Sequence, residues 1–276
     1  MKPTVRRMQS MSLSNTSWFP PLLKECIQNS MAHACNMKLP GQNMSAAELA
    51  AGLLVREFGA AALSSHTIVD FCAGGGSMAP AIEDAVNGFL GAEGLQPVDF
   101  VRKNLRPPGV QAVETSASST PWRRRMPGRG NGNKVMRLFN LAFHHLDDEA
   151  ARGAIRDCIE CGAGFVILEL QDRTLESFVA DTLLPLGVVL VAPYYAWQWS
   201  MPALFVFTWL LPVIPLVLIW DGYASSLRTR EPEEVEELVS SCGADASQWV
   251  LRSGSELRLW PFGYLNWIIC RPVVEL

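Results

Sequence analysis

An excess of basic charge is missing from this sequence. It carries 23 Lys and Arg against 27 Asp and Glu, a net charge of −4, and its pI lies near 5.6. Nucleic-acid binders usually show a basic surplus, so the balance argues against that class. Arg6–Arg7 and Arg123–Arg124–Arg125 are short clusters in an acidic chain and read as solvated loops. Repeated metal-ligand spacing is missing too. Seven cysteines are scattered, and Cys158-Ile-Glu-Cys161 is a lone CxxC. A structural zinc site needs a second pair, so no metal is expected. The odd count offers no disulfide framework, and a reducing, cytoplasmic compartment fits. Residues 1 to 20 lack the unbroken apolar core of a signal peptide, and Ser and Asn between 9 and 17 read as a mobile tail.

What is present is enough apolar material for a large core. The chain has 276 residues, 49% of them hydrophobic and 18% charged, which suits one large domain with decorations. Residues 1–44 read as a tail with a helix over 19–38, and 45–276 as the main domain. "SAAELAAGLLVREFGAAAL" (45–63) predicts a helix capped by Ser45 with Glu48 completing a capping box. "HTIVDFCA" is a short β-branched strand, and 78–90 a helix. Strands are expected at 97–103, 109–115, 135–143 and 163–169, with a Ser-, Pro-, Gly- and Arg-rich loop over 116–134. Helices are expected at 147–162 and 231–243, and a final hairpin of strands from "WVLRSGSELRLW" and "YLNWIIC". Strands interleaved with helices, closed by a hairpin, spell an α/β fold with a mostly parallel sheet. Such sheets bind ligands at the carboxyl ends of their strands.

The turn "VDFCAGGG" stands at such an end. Glycines there let the backbone turn sharply and approach a ligand, and the helix that follows offers amides. A dinucleotide, a phosphate or a nucleoside would each fit.

This turn and the strand order resemble the first motif of class I S-adenosylmethionine-dependent methyltransferases. Asp70, Gly74 and Gly76 match that motif, and Cys72 stands where its first glycine falls. "FNLAFHHLDDEAARGAI" (139–155) is similar to the fourth-strand region of the class, and the final hairpin to its last two strands. The resemblance covers 45–182 and 231–272. It is nearest to a subgroup whose apolar stretch ends in a "WDG…S.LRT" segment, here "WDGYASSLRTREPEEV". It implies a three-layer Rossmann-like fold with a seven-stranded sheet and a C-terminal antiparallel hairpin. It implies S-adenosylmethionine as cofactor, held by Asp70, Phe71, Cys72, Ala73, Gly74, Gly75 and Gly76. Two departures accompany it. Asn104 stands where an acid binds the ribose, and Ser118 where a second acid contacts the adenine, with Glu114 an alternative. Both can hydrogen-bond, but neutral acceptors give up the charge-assisted bond.

Residues 183–222 form the most unusual segment. From 203 to 220 Thr208 is the one polar residue. The length allows a transmembrane helix. A single crossing would put strands of one sheet on opposite sides of a bilayer, and Pro212 and Pro215 break the helix. A buried lid over the site and a hairpin dipping into one leaflet both remain, with Tyr194, Tyr195, Trp197 and Trp199 at the tip. His144 and His145 follow the fourth expected strand and are candidate proton acceptors. Asp221 is a candidate at the pocket mouth or an anchor for Arg228 or Arg230, and Glu169 is a weaker candidate of the same kind. The first reading is methyl transfer to a small lipophilic metabolite. The second is the same fold reused as a cofactor-independent cyclase, isomerase or lyase. The third is a non-catalytic, membrane-associated binding protein.

Overall fold

A computed structural model describes residues 5–38, 42–71, 78–103 and 134–273. The chain begins with α1 (Pro21–Asn36), α2 (Ala46–Phe58), α3 (Ala60–Leu63), β1 (His66–Phe71), α4 (Ala79–Ala92), β2 (Asp99–Lys103) and β3 (Lys134–Asn140). A 3-10 turn (Phe143–His145) leads to α5 (Asp148–Glu160) and β4 (Gly164–Glu169). Then come α6 (Leu175–Gln198), α7 (Pro202–Phe205), a π-helical turn (Val206–Leu210) and α8 (Val213–Arg228). The chain closes with α9 (Pro232–Ser241), β5 (Trp249–Leu259) and β6 (Gly263–Pro272).

The described residues form one six-stranded sheet in the order β2-β1-β3-β4-β6-β5. The first four strands in that order are parallel, and β6 runs antiparallel to both β4 and β5. This is the α/β, Rossmann-like layering expected from the sequence. The seventh strand, expected at 109–115, and the loop after it lie outside the described residues, apart from Lys134, which opens β3.

Each face of the sheet carries its own core. One face packs Ile68, Leu138, Val166 and Trp267 under α2 and α4. The other packs Val69, Phe139, Phe165 and Ile268 under α5 and α9. All six residues of β4 are buried, which is why its sequence reads apolar without alternation. Each fully buried side chain of this size contributes roughly 1.5–3 kcal/mol. In β5, Gly254 pairs with Trp267 of β6, and a Cβ there would stand 2.5 Å from the indole ring. Only glycine lets that ring close over the strand.

Local signals fix several boundaries. Ser45 and Glu48 form the expected capping box. The helix expected over 45–63 is divided at Gly59, whose φ of 78 lies in the left-handed region that glycine tolerates. The N-terminal segment differs from a free tail. The Met8 amide donates to Leu227 O at 2.8 Å, and Arg7 binds Asp148 through both carboxylate oxygens. Residues 5–20 thus run as a strap along α8.

A third hydrophobic cluster lies apart from the sheet. It joins Leu23, Cys26 and Ile27 of α1 with Ala192 and Ala196 of α6 and Ile214 and Leu218 of α8. The apolar segment therefore folds with α1 as a helical cap. Its helix α6 continues through Pro185 and Pro193. The break falls at Leu211–Pro212, where the α7 and π-turn segment meets α8 at 81°.

Candidate active site

The strand order reverses between β1 and β3. β1 leads outward to β2 on one side, while β3 leads to β4 on the other. At such a switch point the two following loops part and leave a crevice. β1 and β3 are direct neighbours, with Asp70 opposite Leu138 and Phe71 opposite Phe139. The glycine turn follows β1, and the histidine pair follows β3. In sequence, the two motifs thus follow neighbouring strands of the sheet, and the glycine turn itself lies outside the described residues.

Asp70 is buried at the carboxyl end of β1. Phe71 points to the opposite face, as alternation along a strand requires, and packs 5.3 Å from the Phe139 ring. It belongs to the core beneath α5. Cys72, Ala73, Gly74, Gly75, Gly76, Asn104 and Ser118 lie outside the described residues. After the turn α4 starts at Ala79, with proline in its first turn and no acid there. An ion pair between Arg102 of β2 and Glu83 of α4 ties the second strand to the same helix.

After Asn140 the chain turns through Leu141, whose φ is 53. A bulky residue in the left-handed region is uncommon and costs roughly 1–3 kcal/mol. The turn holds it by a bond from the Leu141 amide to Leu168 O at 2.9 Å. The result is that His144 faces β4. Glu169, the last residue of that strand, grips it twice. The His144 backbone amide donates to Oε1 at 3.1 Å, and Nδ1 lies 2.8 Å from Oε2. Both side chains are buried. A buried carboxylate bound to Nδ1 favours the tautomer with its proton there, leaving Nε2 as the acceptor.

His145 packs against His144 with ring centroids 4.1 Å apart and planes inclined at 49°. Its Nδ1 lies 3.5 Å from Nη1 of Arg228. The positive charge that His144 would carry, burial, and Arg228 together hold its pKa well below the usual histidine range. It is therefore a neutral acceptor. Arg230 braces the turn from below. It donates to Phe143 O at 3.2 Å and Leu146 O at 2.8 Å, and pairs with Asp148 at 2.8 Å.

Asp221 sits elsewhere in this wiring. Its Oδ1 accepts the Leu13 amide at 2.6 Å and its Oδ2 the Ser14 amide at 3.0 Å. Arg230, one of its two expected partners, is taken by Asp148. Among the described residues, Asp221 exerts its field on Arg228, which meets His145. A carboxylate with both oxygens engaged by backbone amides is an anchor for the strap.

The sequence reading missed Asp181. This residue of α6 is buried, and burial pushes its pKa up to about 7. Ser226 of α8 donates to its Oδ2 at 2.6 Å, and Ser177 lies 3.2 Å from Ser226. Gly222 makes room for it, since a Cβ there would stand 3.0 Å from Asp181 Cβ and Cγ. His144 is close enough to act on its charge. A signal was present: Asp181 is the last charged residue before the apolar run, and Gly222 and Ser226 stand four apart, on one face of a helix. The segment "WDGYASSLR" is thus a rail. Trp220 and Asp221 hold the strap, Gly222 and Ser226 hold Asp181, and Arg228 meets His145.

Among the described residues no group of three or more His, Cys, Asp or Glu is placed to hold a metal ion. Cys158 is buried and Cys161 exposed, and both are free.

No family model matches the sequence, and no curated protein matches it. Among solved structures, the chain is similar to the plantazolicin methyltransferase BpumL in complex with SAH. The TM-score is 0.38 and the identity 8%, over 91% of this chain and 97% of that chain.

Proposed function

We propose that the chain is a small-molecule methyltransferase that uses S-adenosylmethionine and acts on a lipophilic acceptor. One observation carries the reading: the glycine turn and the His144–Glu169 pair follow neighbouring parallel strands at the point where the strand order reverses. A nucleoside cofactor fits what stands around the turn. A buried carboxylate closes β1, and a helix start without acids follows. Asp70, Gly74, Gly75 and Gly76 would hold it, with Asn104 toward the ribose and Ser118 toward the adenine.

When bound, S-adenosylmethionine supplies an electrophilic methyl group. The chain's own residues handle the acceptor's proton. Glu169 fixes the His144 ring and its tautomer. Nε2 of His144 is then free to take the proton from an acceptor hydroxyl or amine. His145, neutral and next to it, adds no competing charge. Burial of the pair keeps water from quenching the field around the reacting atoms.

Calorimetric titration with S-adenosylhomocysteine tests this. The wild-type chain should bind, and Gly74→Val should abolish binding by filling the space the ligand needs. Asn104→Asp should tighten binding several-fold, because a charged acceptor replaces a neutral one. A folded wild-type chain that binds neither S-adenosylhomocysteine nor S-adenosylmethionine would end the proposal.

A further inference from the structure

The cap built from α1, α6, α7 and α8 turns one apolar side inward, onto its own cluster, and another outward. On the outer side Leu190 is 78% exposed, Trp197 80%, Leu210 66% and Leu216 63%. These residues come from α6, the π-helical turn and α8, so the surface crosses three elements. Only 28% of the most apolar 18-residue window of α6 is buried. A core helix of a water-surrounded protein would bury most of it. Between Asp181 and Asp221 no Asp, Glu, Lys or Arg occurs.

Several polar groups of the cap bond within the chain. The Trp209 indole N–H donates to Val189 O at 2.8 Å. That carbonyl is an orphan by construction, because Pro193, four residues on inside α6, has no amide to give it. The Trp220 indole N–H donates to Met11 O at 3.0 Å. The Tyr195 hydroxyl is bonded to His33. An exposed indole in water can bond solvent and needs no such partner. In hydrocarbon an unmet donor costs several kcal/mol, and the Trp209 and Trp220 indoles already have partners within the chain.

We infer that this face docks into one leaflet of a lipid bilayer. The chain does not pass through. β4 precedes the cap and β6 follows it, and the two are hydrogen-bonded neighbours, with Glu169 opposite Asn266. Entry and exit are therefore on one side, and the 81° bend at Leu211–Pro212 denies the return leg a straight span. The headgroup requirement is also set. Acids flank the apolar run and the net charge is −4, so attraction to anionic lipid contributes little. The partner is a zwitterionic bilayer, and apolar burial drives the docking. This inference stands apart from the proposed chemistry.

Flotation of the full chain with phosphatidylcholine vesicles tests it. The chain should rise with the vesicles equally at low and high salt. Leu190→Asp combined with Leu216→Asp should lower the vesicle-bound fraction at least tenfold. Both positions are solvent-exposed, so the circular dichroism spectrum and melting temperature should stay. Acyl-brominated phosphatidylcholine should quench the tryptophan fluorescence of the wild type and spare the double variant. A chain that stays with the soluble fraction overturns the inference, whether it is monomeric or a stable dimer by light scattering; a dimer would assign the face to a second copy. Equal flotation of the variant overturns it as well. A parallel titration with S-adenosylhomocysteine on the same sample keeps a failure of docking distinct from a failure of the cofactor reading.

Discussion

Asp181 is a residue whose protonation couples to folding. Its folded pKa, pushed up to about 7 by burial, lies above that of an unfolded aspartate near 3.9. Between about pH 4 and pH 7 the unfolded chain has lost the proton that the folded chain keeps. Stability from this group therefore falls as pH rises through that window, by as much as about 4 kcal/mol. His145 works the other way. Its pKa is held well below the usual range, so its contribution is present above about pH 6.5 and declines as pH falls below it. The difference between wild type and Asp181→Asn isolates the first effect. Asparagine keeps an acceptor for Ser226 and has no charge to bury. The variant should match wild type near pH 4.5 and melt at a higher temperature at pH 8. A variant less stable than wild type at pH 8 would show that the carboxylate is paired and wanted in its charged form.

At the scale of elements, the strap and α8 hold each other. Two backbone amides meet one carboxylate at 2.6 and 3.0 Å, and hydrogen bonds to charged groups contribute about 1.5–3 kcal/mol when well shielded. The surroundings here are half-buried, so a total near 1–3 kcal/mol is expected. Asp221→Ala should release the strap. Trypsin should then cut faster at Arg6 and Arg7, with a small drop in melting temperature and unchanged S-adenosylhomocysteine affinity. Loss of cofactor affinity with the strap still protected would return Asp221 to the chemistry.

For the whole molecule, the sheet was legible because each strand is dictated by local sequence. β4 runs apolar from Gly164 to Leu168, closes on Glu169, and follows the helix-ending Gly162. Ser45 and Glu48 announce α2 by chemistry that needs no tertiary partner. The His144 site was half legible. A histidine after a strand can be read from order along the chain, but its pairing with Glu169, 25 residues later, depends on the register of β3 against β4. Asp181 was hidden for the same reason, since its burial comes from Gly222 and Ser226 on another helix. The strap was misread because Ser- and Asn-rich sequence carries no mark of the single carboxylate that anchors it.

The central claim is that the glycine turn and the His144–Glu169 pair form one site. Long-range proton–nitrogen spectra of the histidine rings, with and without S-adenosylmethionine, test it most directly. Without cofactor His144 should show the tautomer protonated at Nδ1, and Glu169→Gln should disturb that preference. Adding the cofactor should shift the Nε2 resonance of His144 while the ring keeps its Nδ1 proton. Binding that leaves every His144 resonance in place would separate the two motifs and contradict the account.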